Sequence, residues 1–402
     1  MYDLIIVGAR CAGSATALLL ARKGYRVLVV DKATFPSDTL STHFVHLQGI
    51  VRLKRWGLLD QVIASNCPPV SQWTFDFGPF QLTGAPQPIE GVGDVYCPRR
   101  LVLDKLLIDA AAEAGAEIRE GFVVEEILME GSRVTGIRGH AHGGGTVTEY
   151  ARLVIGADGM RSMVAQVVQA EEYNVRPKLN CAYFTYWSGI ALDGVEDYPR
   201  DQKASILFPT NDGLVCTFLE FPLSQFHSFR ADIEGNFLKM LDEISPQLGE
   251  RVRAGKREER FSGTADLPNF FRRSYGPGWA LVGDAAYHRD PLTAQGIGDA
   301  LVGADLLTEA IDAGFSGRVP LDVALADYEQ SRDSAFMPMY DLNYQLATLA
   351  PPPPHMQQLF FALRNNPQQL SRFYGALSGS VPLPEFFAPS NVETILTAAQ
   401  LA

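Results

Sequence analysis

Three aspartates, Asp31, Asp158 and Asp284, each follow a short apolar run: Val27-Leu-Val-Val30, Leu153-Val-Ile155 and Ala280-Leu-Val282. An acid at the carboxyl end of a buried strand is placed to accept hydrogen bonds from ligand hydroxyls. The first of them belongs to a larger unit. Leu4-Ile-Ile-Val7 reads as a buried strand that turns at Gly8, and a helix begins near Ala12 and packs closely through Gly13. The pyrophosphate of an ADP-containing cofactor would sit on the free amides at that helix N-terminus, with Asp31 on the adenosine ribose. Arg10 replaces the middle glycine of G-x-G-x-x-G. Its side chain must therefore point away from the pyrophosphate or help to neutralise it.

These residues need a scaffold, and the rest of the chain supplies one. The 402 residues, 47% hydrophobic, are enough for a large core. A net charge of -12 argues against a nucleic-acid or anionic-membrane binder, which needs clustered Lys and Arg. Asp3 interrupts the N-terminus, no run is long enough to span a bilayer, and the five cysteines are scattered. A cytoplasmic location without stable membrane insertion is expected. Cys11 lies at a helix start, which lowers a thiol pKa, although a small residue that fits the turn is the plainer reading. His140 and His142 offer only two ligands in a glycine-rich hairpin loop, so no metal site is expected.

Phe35 to His43 reads as a loop, followed by a helix through Leu47, Val51, Leu53 and Trp56. Residues 73–96 alternate as a strand pair, and Arg100 opens a helix carrying Leu103, Leu106, Leu107 and Ala110 on one face. Tyr183-Phe-Thr-Tyr-Trp187, Ala204 to Pro209 and Leu214 to Phe221 read as an antiparallel sheet whose rings wall an apolar pocket or fill its own core. After Pro320 the chain turns helical, breaks at Pro351-Pro-Pro-Pro354 and resumes. Packing on the body of the chain is the default for the patch Leu359-Phe-Phe-Ala-Leu363, with capping of the pocket, a homodimer contact or contact with a membrane as the alternatives.

Two later motifs, Gly156-Ala-Asp-Gly159 and Gly283-Asp-Ala-Ala-Tyr-His-Arg-Asp-Pro291 leading to Gly296-Ile-Gly298, extend the dinucleotide unit. With them the chain resembles the FAD-dependent monooxygenase superfamily with the para-hydroxybenzoate hydroxylase fold, a group that also contains flavin-dependent halogenases and geranylgeranyl reductases. The resemblance covers about four-fifths of the chain, and three ordered motifs are far more specific than one. It implies an α/β fold: a Rossmann-like FAD-binding domain (1–72, 97–176 and 265–320), interleaved with an antiparallel-sheet substrate domain (73–96 and 177–264), then C-terminal helices (321–402).

The resemblance assigns cofactor contacts to Gly8, Ala9, Cys11, Ala12, Gly13, Asp31, Lys32, Arg100, Val124, Asp158, Gly283, Asp284, Pro291, Gly296, Ile297 and Gly298. Arg100 would face the flavin's linking chain and Asp284 the ribityl chain, while Gly296 to Gly298 bring amides to the pyrimidine edge. Asp158 belongs to a motif tied to FAD support and pyridine-nucleotide use. Tyr287 takes the usual histidine position, His288 is displaced by one, and Gly298 replaces a common asparagine. No tryptophan-halogenase W-x-W-x-I-P motif and no second G-x-G-x-x-G occur.

The implied activity is hydroxylation of an apolar small molecule of aromatic type by FAD, NAD(P)H and O2 through a flavin C4a-hydroperoxide. The alternatives are a double-bond reductase similar to geranylgeranyl reductase, a two-component oxygenase or halogenase needing a separate reductase, and a flavin-binding protein without turnover. A base would raise the nucleophilicity of a phenolic ring, and the candidates are His43, His46, His288 and Tyr287.

Overall fold

The computed structural model describes residues 1–400. Its first strand, β1 (Tyr2–Val7), leads into α1 (Cys11–Arg22) and returns as β2 (Val27–Val30). Both strands are apolar at nearly every position because parallel strands are covered on both faces. The chain then leaves this sheet through α2 (Leu47–Arg55). The second sheet begins with β3 (Trp73–Asp76) and β4 (Gln81–Gly84).

The helix α3 (Arg100–Glu113) then feeds β5 (Glu117–Arg119), the outermost parallel strand beside β2. A long hairpin follows, β6 (Phe122–Glu130) and β7 (Arg133–Ala141), and β7 pairs with the first half of β8 (Thr146–Gly156). The second half of β8 runs parallel to β1. One face of the parallel sheet is covered by α1 and α3. The other packs against the hairpin through Phe122, Ile127, Val134 and Ile137. An antiparallel layer thus replaces the helices that a doubly wound fold would place there.

The second sheet is completed by β9 (Asn180–Ser188), β10 (Val195–Arg200), β11 (Lys203–Pro209) and β12 (Val215–Pro222). Its order is β9, β12, β11, β10, β3, β4, with the short strands Lys256–Arg257 and Ser262–Thr264 pairing with β9 at the other edge, and only the β10–β3 pair is parallel. Side chains alternate across it with period two. Phe184, Tyr186, Phe208, Cys216 and Phe218 face inward and join the core that also holds Ile6 and Val29. Tyr183, Trp187, Leu207, Leu219 and Phe221 face outward, under helices Ile233–Ile244 and Pro246–Ala254. Alternate rings of the aromatic run therefore fill two packed cores, one on each face of the sheet.

The chain re-enters the first sheet at β13 (Trp279–Leu281), parallel to β8, and continues as α4 (Gly296–Phe315) and α5 (Leu321–Leu346). After Pro351 to Pro353, α6 (Pro354–Leu363) and α7 (Pro367–Ser378) lie over the inner face of the second sheet. Tyr374 in α7 donates to the Leu82 carbonyl (2.6 Å) and stacks on Phe75 at 5.9 Å, which pins the helix to β3 and β4. Each ring buried there contributes about 1.5–3 kcal/mol. No helix among the described residues is long and apolar enough to cross a membrane.

Candidate functional site: a dinucleotide cleft facing an aromatic sheet

The turn after β1 is fixed by sterics. Gly8 has φ +105, and a Cβ there would lie 2.4 Å from the Ala157 carbonyl oxygen. A Cβ on Gly13 would lie 1.8 Å from the Gly8 oxygen, so only glycine lets α1 start against the sheet. Asp31 holds the turn shut: the Ala9 amide donates to its Oδ2 (2.7 Å) and the Ala33 amide to its Oδ1 (2.8 Å). Each carboxylate oxygen keeps a second lone pair for a ribose hydroxyl. Lys32 is exposed beside it, and Val124 is half-buried on β6, which begins where the Phe122 amide meets the Asp31 carbonyl.

Arg10 resolves the departure from the glycine pattern. Its guanidinium turns away from the helix axis to Asp104 Oδ2 (2.6 Å), with further bonds to Ser37 and to the Asp38 carbonyl. The N-terminus of α1 is left without a side-chain cap and open to an anion. Asp104 was not singled out from the sequence, yet it is the hub of this corner. Fully buried on α3, it also accepts from Arg100 Nε (3.0 Å) and Cys11 Sγ (3.2 Å). Its only signal was the i, i+4 spacing from Arg100. Burial pushes the Cys11 thiol up, against the lowering expected at a helix start, so Cys11 is the small residue that fits the turn.

Asp158 Oδ2 accepts from the amide of Met163 (2.6 Å), while its Oδ1 is buried without a partner. Asp284 is exposed, in the turn Gly283–Ala285 that abuts α1; a Cβ on Gly283 would lie 2.6 Å from the Ala12 methyl. Arg100 and Asp284 feel each other's charge, which helps to hold the Arg100 guanidinium above its usual range. Gly296 opens α4 with no side-chain cap, and a Cβ there would meet nothing within 4 Å. Ile297 and Gly298 are buried behind it, Gly298 against Gln48. Pro291 starts the turn before α4, and the carbonyl of Thr293 in that turn bonds His46 Nε2 (3.0 Å).

The candidate bases separate. His43 is fully buried with φ +59, its ring packed among Phe184, Tyr186 and Phe208 of the inner sheet face. Its Nε2 is hydrogen-bonded to the Tyr186 hydroxyl, and Arg99 lies 4.2 Å over the Tyr186 ring. Desolvation lowers His43 to about 3, so the imidazole is neutral near pH 7. His46 is lowered to about 3 for the same reason and anchors the 291–293 turn. His288 and Tyr287 lie elsewhere. His288 bonds the Pro268 carbonyl (2.5 Å), paired with Phe270 on a separate three-stranded sheet. Tyr287 is packed between Phe271, Phe336 and Tyr340, because the strand Tyr287–His288 turns that ring beneath α5. Neither joins His43 at the inner sheet face.

Sequence reasoning also passed over three buried acids here: Asp197, Glu220 and Asp290. The visible signal was an acid at an inward position of an otherwise apolar alternation, as in Cys216, Phe218, Glu220 and in Val195, Asp197.

The site fits FAD. It offers two uncapped helix N-termini, acids at strand ends, a glycine with open space before it, and an orphaned buried carboxylate oxygen on Asp158. Comparison with known proteins agrees. Residues 1–195 match the FAD binding domain family. The chain is 27% identical to digeranylgeranylglycerophospholipid reductase 2 of Methanopyrus kandleri over 86% of this chain and 82% of that protein. Among solved structures, the flavin-dependent brominase Bmp2 superposes with a TM-score of 0.82 at 18% identity, covering 100% of this chain and 99% of that one. PqsL of Pseudomonas aeruginosa, in complex with 2-aminobenzoylacetate, gives 0.71 at 20% identity, covering 94% and 100%. The first 195 residues are thus an FAD binding domain, and the chain shares its fold with a flavin-dependent brominase and with PqsL while its sequence is similar to that of an archaeal reductase.

Proposed function

We propose that this enzyme is a monooxygenase that uses FAD, NAD(P)H and O2 to hydroxylate an aromatic small molecule lying on the inner face of the second sheet. The observation that carries this reading is the buried, neutral His43 bonded to Tyr186 within a ring-lined wall. Bound FAD supplies the redox chemistry and oxygen activation; the chain must bind, orient and exclude water. The amides at Gly296 to Gly298 would hold the pyrimidine edge, Asp284 the ribityl chain and Arg100 the linking chain.

The role of the dyad follows from its energetics. A phenolic hydroxyl can donate to the Tyr186 oxygen while Tyr186 donates to His43 Nε2. Full transfer from a phenol near 10 to an imidazole near 3 is uphill by about 10 kcal/mol. His43 therefore polarises and orients the phenol through Tyr186, and complete deprotonation is deferred to the moment of attack.

A second reading, hydride transfer to an isoprenoid alkene, draws on the likeness to the archaeal reductase. Product analysis under isotopically labelled O2 separates the two. Hydroxylation gives a product carrying one labelled oxygen; a product gaining two hydrogens and no label supports the reductase.

A further inference from the structure

We infer that Glu220 and Asp290 share a single proton, and that the acid–carboxylate hydrogen bond between them clamps the turn before α4 to the second sheet, fixing where the amides of Gly296 to Gly298 stand. The inference rests on the flavin's pyrimidine edge lying at those amides, as proposed above, and not on the reaction that the flavin performs.

Glu220 occupies an inner position of β12, with Ala182 on β9 and Ala204 on β11 as its partners across the strands. Flanked by two methyl groups, its longer side chain stands out from the sheet. It meets the carboxyl of Asp290, which caps the turn Pro291–Thr293 by accepting from the Leu292 amide (3.1 Å). Asn180 brackets the two acids. Its Nδ2 donates to Glu220 Oε1 and to the Ala347 carbonyl (both 2.8 Å) and lies 3.5 Å from Asp290 Oδ2. As a carboxylate oxygen, Glu220 Oε2 is buried with no hydrogen-bond partner.

Two carboxyls in contact away from water cannot both stay ionised, because desolvation and like-charge repulsion each favour a proton on one of them. Glu220 is 0% exposed and Asp290 1%. Among the described residues no cation hydrogen-bonds either acid, and Arg289, next in the chain to Asp290, directs its Nη2 to Asp299 (2.6 Å). The other charged groups within reach are Asp197 on β10, which repels a charge on Glu220, and His288 on the strand before the turn, which favours one on Asp290. Both influences put the proton on Glu220, whose carboxyl burial holds well above the usual range. Protonated, Oε2 becomes a donor to Asp290, and the orphaned oxygen of the pair is satisfied.

The same turn is held from other sides. Asn269 accepts from the Asp290 amide (2.9 Å), and Asn343 on α5 donates to the Asp290 carbonyl (3.0 Å) and accepts from the Thr293 amide (3.2 Å). His46 bonds the Thr293 carbonyl (3.0 Å). Glu220 and Asn180 are what reach it from the second sheet. Only Ala294 and Gln295 then separate the turn from Gly296. Ala294 has φ +53, a conformation that an alanine keeps only where its surroundings impose it. A shift of Asp290 is therefore passed on to the N-terminus of α4.

The test compares wild type with Glu220→Gln, Asp290→Asn and Glu220→Leu, using the full-length protein stripped of flavin and titrated with FAD. Either amide keeps a donor between the two side chains while removing the shared proton. Both amide variants should bind FAD within about threefold of wild type at pH 7, whereas Glu220→Leu, which removes the donor, should bind at least about tenfold more weakly. Glu220→Asp, which withdraws the carboxyl by one methylene group, is the second disruptive variant should Glu220→Leu not fold. The proton itself is read from urea unfolding of the flavin-free protein between pH 5 and pH 8. An acid kept protonated in the fold and ionised when unfolded makes the wild-type unfolding constant rise with pH relative to either amide variant, by up to about tenfold per pH unit. Parallel stability profiles, amide variants that lose FAD affinity as far as the disruptive ones do, or disruptive variants with full affinity would overturn the proposal. Oxygenated product is scored separately. A reductase with this FAD affinity pattern and pH profile would remove the hydroxylase reading and leave the clamp standing.

Discussion

The two halves of this molecule treat buried charge in opposite ways. On the cofactor side, Asp104 is fully buried and saturated by Arg10, Arg100 and Cys11. On the second-sheet side, Glu220 Oε2, until it is protonated, and His43 Nδ1 are buried without a hydrogen-bond partner, and His43 is held neutral by burial among aromatic rings. The first arrangement is what a fixed, always-present ligand requires: a rigid cradle whose charges are already balanced. The second leaves hydrogen-bonding capacity idle until something arrives. Unsatisfied groups cost stability, and sites that bind transient ligands are where such costs persist.

Breaking the cradle should produce the largest effect. Gly13→Ala sets a methyl carbon into the Gly8 carbonyl, a clash no rotamer relieves, and is expected to cost more than about 4 kcal/mol together with FAD retention. Chemical denaturation and flavin occupancy of the purified variant measure both. A variant that binds FAD at wild-type stoichiometry and unfolds at the wild-type midpoint would show that the turn is not closed as described.

Acid comes next, and it acts on the other half. His43 and His46 are lowered to about 3 in the fold and return to about 6.5 when unfolded. Between those values the unfolded chain binds more protons, so stability falls as pH drops from about 6.5 toward 3, by up to about 5 kcal/mol for each histidine. Thermal unfolding measured from pH 7 to pH 4 should show a steep decline that His46→Asn makes shallower. A flat profile would mean that neither imidazole is desolvated.

Asp104→Ala is expected to cost about 3–5 kcal/mol, since it strands Arg10 and Arg100 without their shared counter-charge. If loss is below 1 kcal/mol, the corner is not a charge-balanced unit. The smallest effect sharpens the contrast from the opposite direction: Asp197→Asn should stabilise the ligand-free protein by about 1–2 kcal/mol at pH 7. The wild-type acid, raised to about 8, binds its proton more tightly folded than unfolded, so wild-type stability declines as pH rises from about 4 to 8. The gain from the variant should grow through that window. A destabilised variant would place a hidden partner on Asp197.

The same contrast governs what could be read from the sequence. The cofactor half is local: Gly8 to Gly13, Asp31, Gly156 to Gly159 and Gly283 to Gly298 each sit in one turn at one strand end, so spacing alone carries them. Arg10 was legible as a side chain that must be placed, but not where, because Asp104 lies 94 residues away. The substrate half is built from register. Which of Tyr183 to Trp187 faces inward depends on pairing with β12 and on the helices above, and a one-residue slip would exchange the two sets. Tyr287 and His288 illustrate the same point. They follow a cofactor motif directly, yet pairing with Asn269–Arg272 turns Tyr287 into a core under α5 and His288 onto Pro268.

The measurement that bears most directly on the account is anaerobic reduction of the purified flavoprotein by NADPH and by NADH, followed at the visible flavin band with and without phenolic compounds. The account predicts bleaching by one nucleotide, accelerated by a compound that also binds the inner sheet face. Bleaching by dithionite but by neither nucleotide, whatever compound is present, would contradict a self-sufficient monooxygenase and assign the reducing step to a separate reductase.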